Sequence, residues 1–231
     1  MRNNPITGAT YVWLGLRIIS KPRFRRFVLA PLLISMLVFT GSIFVLYSFF
    51  DWVGDWISHL IPSWLSWLSV VVWPLFLFAT AFIFIFGVGL IANLIASPFN
   101  GLLSLKVEQY LSGKPFENKT RPDTVYREIA RSVHSELQKA WYLATRGIPI
   151  LLLMLVPGVN LAASAGWITF SAWMISIQYA DYPMSNHGLG FPEQRQQLAK
   201  IPLTSLGFGL TVMVGMLIPI FNFVVIPASV A

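Results

Sequence analysis

The residues with the most evident chemistry lie near the N-terminus. Arg17, Lys21, Arg23, Arg25 and Arg26 place five cations within ten residues, and 24 uncharged residues, 27–50, follow at once. No acidic side chain precedes Asp51. Guanidinium forks suit tetrahedral oxyanions, and unpaired N–H groups at a helix start bind the same class of ligand. The pattern therefore points to an anion held at the mouth of a membrane helix, or to anionic lipid headgroups, which clustered cations beside a span also attract. Cations at a helix N-terminus oppose the helix dipole by about 0.3–1 kcal/mol each, and the sign of that term favours a bound anion.

Three further titratable residues stand out. Glu108 follows the second long apolar run and reads as a partner for an arginine of the first segment or as a solvated carboxylate. Asp181 is a poor anion ligand by charge; it reads as fixing its loop or pairing with one of the arginines. His187 offers pH sensing, anion contact or a structural hydrogen bond.

Other chemistries find no support. G-x-S-x-G, P-loop and H-E-x-x-H patterns are absent, which argues against an enzyme and against direct ATP drive by this chain. There is no cysteine, and His59, His134 and His187 lack metal-ligand spacing, so no cofactor or metal is expected. The formal charge of +7 fits an anionic solute or anionic lipid; no nucleic acid is expected among the partners.

The elements that must position these residues are membrane helices. The chain is 56% hydrophobic and 11% charged, with its apolar residues in long unbroken runs. The first run is too long for a signal peptide. Residues 5–20 predict an interfacial amphipathic helix carrying Tyr11, Val12, Leu14, Ile18 and Ile19. Residues 22–50 predict a basic arm and a first span kinked at Pro31, and residues 70–105 a second span bent near Pro98 and Gly101. The connection 51–69 gathers Trp52, Trp56, Trp64 and Trp67, with Trp73 just beyond, as rings at a membrane–water boundary. Residues 106–146 form the polar stretch, with eight Lys or Arg and five Asp or Glu. Thr120, Pro122 and Asp123 start a helix there, and Val125, Ile129, Val133, Leu137 and Trp141 recur every four residues as a stripe facing protein or membrane surface. The Lys/Arg bias places the N-terminus and this stretch in the cytoplasm.

Residues 147–180 and 201–231 are apolar and broken at Pro157–Gly158 and Pro219. The arm before Pro157 reaches about 15 Å, half the bilayer core. Both segments therefore read as re-entrant, partly inserted hairpins. Met154–Asn160 and Met216–Asn222 share M-L-[V/I]-P-x-x-N, and paired interrupted helices point to a transporter site. Asn160 and Asn222 are suited to satisfy the backbone of those turns.

Three motifs carry a family resemblance: S-K-P-R-F-R-R-F-V-L-A-P-L-L at 20–33, I-A-N-L-I-A-S-P-F-N-G-L-L at 91–103 and F-S-A-W-M-I-S-I-Q-Y-A-D-Y-P-M-S-N-H at 170–187. Together they resemble the CysZ family of bacterial inner-membrane sulfate permeases, over nearly the whole chain. The resemblance implies an all-α integral membrane fold of two long membrane helices and two pairs of partly penetrating helices. It also implies sulfate uptake for cysteine biosynthesis and dimers, or multiples of dimers, with subunits antiparallel in the membrane. The one-sided charge count favours a single orientation instead. Family members usually continue into a basic tail where this sequence stops at Ala231.

Sulfate is a dianion rich in acceptor lone pairs. Gly15, Leu16 and Arg17, the helix break at Ser20–Pro22, and the R-R-F pair Arg25 and Arg26 together offer cationic and N–H donors, with Gly15 allowing close approach to the backbone. Glu108, Asp181 and His187 are expected to support or gate such a site. The expected mechanism is passive and channel-like. The rival is a membrane scaffold or accessory protein that binds sulfate and assists another transporter.

Overall fold

Proline and asparagine set the first helix. In the computed structural model the side-chain oxygen of Asn4 accepts the Ile6 N–H at 2.9 Å, and Pro5 opens helix α1, Pro5–Ile19. The structure describes the backbone of residues 3–60, 67–113 and 122–231; some side chains within 51–60, 83–97, 122–132 and 219–223 lie outside the description. The expected helix start at Thr120 and the ring of Trp64 fall outside it, as do the side chains of Val125, Ile129 and Asn222.

Seven more α-helices follow among the described residues: α2 Pro22–Leu60, α3 Ser69–Ser112, α4 Pro122–Leu153, α5 Asn160–Asn186, α6 Phe191–Ala199, α7 Pro202–Met216 and α8 Pro219–Val230. No strand occurs among these residues. The all-α expectation holds.

Three boundaries differ from those read in the sequence. The 51–69 connection is helical as far as Leu60, because no proline stands between Pro31 and Pro62 and polar Asp51 and Asp55 do not break a helix. At about 58 Å, α2 is longer than a bilayer crossing needs. Likewise α3 runs past 105 to Ser112, where Gly113 takes φ +67° and its N–H bonds the Gln109 carbonyl at 3.1 Å. The polar segment and the first arm of the 147–180 hairpin are one helix, α4. Gly147 and Pro149 stand at the join, yet the helix continues through both, and at Gly147 the absent Cβ admits the Phe170 and Trp167 rings.

The chain forms two units, Met1–Val28 with Asn100–Ala231, and Leu29–Phe99. In the smaller unit α2 and α3 meet through Phe39–Phe84 and through Phe50 against Trp73 and Phe76. Pro22–Phe50 is the one helical segment among the described residues long and apolar enough to cross a membrane by itself. Its apolar side chains Leu37, Phe44 and Tyr47 are more than two-thirds exposed, the pattern of a helix clad in lipid.

The larger unit packs through glycine. A Cβ on Gly8 would stand 2.1 Å from the Thr204 carbonyl oxygen, one on Gly207 2.1 Å from that of Pro5, and one on Gly15 1.9 Å from that of Ala228. Helices that cannot gain hydrophobic energy against lipid associate by such close backbone approach. So α1 turns its narrow face of Gly8, Val12, Gly15 and Ile19 onto α7 and α8. Ile19, Phe24, Leu103, Val107 and Ala228 form a core joining α1, the starts of α2 and the ends of α3 and α8; Phe24 is wholly buried.

Gly158, at φ +86°, turns α4 into α5, and Leu217–Ile218 join α7 to α8. Helices α7 and α8, about 22 and 18 Å long, each fall short of the bilayer core. Helix α5 does not: at about 40 Å it extends well beyond the expected end at 180. Between α6 and α7 the chain bends by 106°. The Asn160 side chain, in the first turn of α5, accepts the Leu161 N–H at 3.0 Å.

Candidate anion-binding site

The cations gather where α1 ends and α2 begins. The break at Ser20–Pro22 is present, with Ser20 and Lys21 between the helices. Their N–H groups bond the Leu16 and Ile18 carbonyls, and the Phe24 N–H bonds Lys21. Arg17 lies in the last turn of α1, where the dipole favours it; Arg23, Arg25 and Arg26 lie in the first turns of α2, where it does not.

Each cation is exposed, and each described contact leaves its charge unneutralised. The Arg25 Nε donates to the Ser20 carbonyl at 3.0 Å. Arg17 lies 5.8 Å from the Trp13 ring centre and Arg26 5.0 Å from that of Phe27. Lys21 stands over the Tyr110 ring at 4.4 Å and donates to its hydroxyl. That hydrogen bond, with the charges of Lys21 and Arg23, holds the Tyr110 hydroxyl below the usual tyrosine pKa. Among the described residues no carboxylate lies within 4 Å of any of the five cations.

Gly15 and Leu16 take other places than the sequence suggested. Both lie inside α1, so their N–H groups belong to helical bonds, and the open face of Gly15 is filled by Ala228. Leu16 packs on the Ile19–Phe24 core. The glycine serves a helix contact instead of an anion's approach, and both residues hold the α1 end from which Arg17 projects.

Neither acid meets an arginine among the described residues, and both side chains are partly exposed. Glu108 Oε1 lies 2.6 Å from His187 Nε2, while its Oε2 is buried without a hydrogen-bond partner. Asp181 Oδ2 lies 2.6 Å from Lys139 Nζ, and its Oδ1 accepts from Gln194. Lys139 is 4% exposed, and its ammonium also reaches Glu136 at 2.7 Å. Burial opposes that charge, yet Asp181 and then Glu136 outweigh it, and the Lys139 pKa is raised. Gln194 donates to the Leu189 carbonyl as well, so Asp181 is linked through Gln194 to the α5–α6 turn and through Lys139 to α4.

Lys139 and Gln194 were not singled out from the sequence. The available signal was position: Lys139 lies off the Val133–Leu137–Trp141 stripe, and that stripe faces away from the protein, with Trp141 73% exposed.

A cavity of about 800 Å³ lies beside Tyr11, Ser104, Glu108, Tyr179 and Thr204. No lysine or arginine lines it among the described residues, and Glu108 makes it repulsive to a dianion. The five cations of the α1–α2 bend are not among the residues that line it.

The family described as Sulfate transporter CysZ/Etoposide-induced protein 2.4 matches residues 11–227. The sulfate transporter CysZ of Pectobacterium atrosepticum is 39% identical over 97% of this chain and 82% of its own length. That of Pseudomonas aeruginosa strain LESB58 is 39% identical over 98% and 92%. That of Vibrio atlanticus is 39% identical over 98% and 90%.

Proposed function

The chain belongs to the Sulfate transporter CysZ/Etoposide-induced protein 2.4 family, and on that footing we propose that it carries sulfate across the bacterial inner membrane to supply cysteine biosynthesis. The relatives are named as transporters, and the chain is not an enzyme.

One observation supports the placing of the anion: five exposed cations at a helix break have no carboxylate within 4 Å among the described residues. In this reading Arg17, Arg25 and Arg26 hold sulfate, and Gly15 and Leu16 fix the helix end that presents Arg17. Fork-shaped guanidinium groups suit a tetrahedral dianion better than point charges do. Glu108, Asp181 and His187 hold the ends of α3, α5 and α6 around the site.

The protein crosses the membrane more than once in this reading, with α2 and α3 as long spans and the α4–α5 and α7–α8 pairs entering partway. The lengths of α7 and α8 support that for the second pair. Transport in this reading is passive and channel-like, and the lack of a nucleotide-binding loop argues against direct ATP drive by this chain. The 800 Å³ cavity, mostly apolar and with no lysine or arginine in its described lining, is unsuited to a dianion, which favours a route between subunits of a homo-oligomer built from dimers.

The test is uptake of radiolabelled sulfate into liposomes containing the purified protein alone. Uptake above empty liposomes is expected, and Arg25→Ala/Arg26→Ala should abolish it while the protein keeps its helical content and oligomer size. Full uptake by that variant would move the anion elsewhere. No uptake by the folded parent would favour an accessory protein that assists another transporter.

A further inference from the structure

The join between the polar and apolar halves of α4 carries a second basic feature, remote in sequence from residues 17–26. Arg146 of α4 and Arg195 of α6 line a groove of about 570 Å³ with Trp141, Tyr142 and Phe191. The Arg195 guanidinium lies 5.3 Å from the Tyr142 ring centre and 5.9 Å from that of Phe191. Aromatic faces thus hold its plane, which leaves edge N–H groups as donors. No acidic residue lines the groove, and no described carboxylate lies within 4 Å of either arginine.

A neighbouring groove of about 550 Å³ shares Tyr142 and Arg146 and continues to Pro149, Ile150 and Phe170. The combined surface is cationic at one end and apolar at the other. On the same helix Leu137, Trp141, Ile148 and Leu152 are more than half exposed, so this face is open to a membrane.

We propose that this surface binds an anionic phospholipid, with the phosphate at Arg146 and Arg195 and an acyl chain along Pro149, Ile150 and Phe170. Charge complementarity selects the headgroup, and the apolar continuation selects a lipid over a free oxyanion, which has no use for it. A zwitterionic lipid brings its own cation to the two arginines and is disfavoured.

The test titrates the full-length protein in neutral detergent with dioleoylphosphatidylglycerol, dioleoylphosphatidylcholine or glycerol 3-phosphate, reading bound lipid by native mass spectrometry and the thermal midpoint. Phosphatidylglycerol should bind saturably, about tenfold or more tighter than phosphatidylcholine, and raise the midpoint. Arg146→Gln/Arg195→Gln should remove that preference, Arg146→Lys/Arg195→Lys should keep part of it, and Lys200→Gln should leave it intact. Glycerol 3-phosphate should neither raise the midpoint nor compete. Equal binding of the two lipids by the parent would overturn the proposal whether or not the glutamine variant folds. So would an unchanged preference in that variant, or competition by glycerol 3-phosphate, which marks a free-anion site. Dissociation of the oligomer in the glutamine variant, without loss of the lipid preference, would assign the groove to a second copy of the chain and equally overturn it.

Discussion

The ammonium of Lys139 lies 2.6 Å from the carboxylate of Asp181, across 42 residues of sequence, at a site where the lysine is 4% exposed. The pair ties α4 to α5, and Gln194 adds α6. Removing one partner strands the other charge, which costs about 3–5 kcal/mol where both are buried. The Asp181 side chain is 19% exposed, so Lys139→Met should cost about 2–4 kcal/mol by chemical unfolding in detergent. Lys139→Met/Asp181→Leu should recover much of that loss. Glu136 is 57% exposed, and Glu136→Gln should cost no more than about 1 kcal/mol.

The same pair sets an alkaline limit. The Lys139 pKa is raised on folding, so its contribution is fully present below the ordinary lysine value of 10.5 and is lost as pH rises through the higher folded value. The stability gap between parent and Lys139→Met should therefore stay constant from about pH 7 to about pH 9 and narrow only above 10.5. A gap that closes near neutral pH would contradict the ion pair.

Glycine contacts should be unforgiving on one helix and indifferent on another. A Cβ on Gly15 meets the Ala228 backbone at 1.9 Å, and no side-chain rotation relieves that. Gly15→Leu should destabilise the α1–α8 contact by about 1–3 kcal/mol or more. Gly41 on α2 has nothing within 4 Å of its missing Cβ, and Gly41→Ala should be neutral or mildly stabilising. Thermal midpoints of the two variants in one detergent provide the comparison.

Tyr110 reports on the cation cluster directly. Its hydroxyl is held below the usual tyrosine value by the Lys21 hydrogen bond and by the charges of Lys21 and Arg23. Labelled-tyrosine NMR should find one resonance titrating early in alkali. Lys21→Gln should return it towards the ordinary range, and bound sulfate, by offsetting the positive charge, should raise it.

The Glu108–His187 contact should matter little to stability, since the His187 side chain is 56% exposed. His187→Ala is expected to change unfolding free energy by less than about 1 kcal/mol. A loss as large as that of Lys139→Met would show that the contact is shielded in the assembled protein.

The cation cluster, the helix break at Ser20–Pro22 and the apolar runs were legible because each is written in neighbouring residues. Pro22 suits the first turn of a helix, and five cations with no acid near them in sequence are evident by inspection; that no described carboxylate folds onto them is known only from the structure. The length of α2 was misread because Asp51, Asp55 and the tryptophans resemble a connection in composition, while a helix ends only where its backbone is interrupted. Gly15 was read for its freedom to approach a ligand; that freedom is used by Ala228, 213 residues later. Lys139 was invisible for a similar reason. On a polar helix a lysine reads as solvated until the register of α4 against α5 brings Asp181 to it, and no local pattern records that register. Glu108 and His187, 79 residues apart, share the difficulty.

Because α4 is one continuous helix, the Lys139 pin sits near its middle: about 25 Å of helix runs back to Pro122 and about 21 Å forward to Leu153. The helix is thus a balanced beam on a charged fulcrum. Tilting the Pro122 arm would swing the Pro157–Gly158 turn by a similar distance the opposite way, so a force on the polar end of the helix is felt at its apolar end.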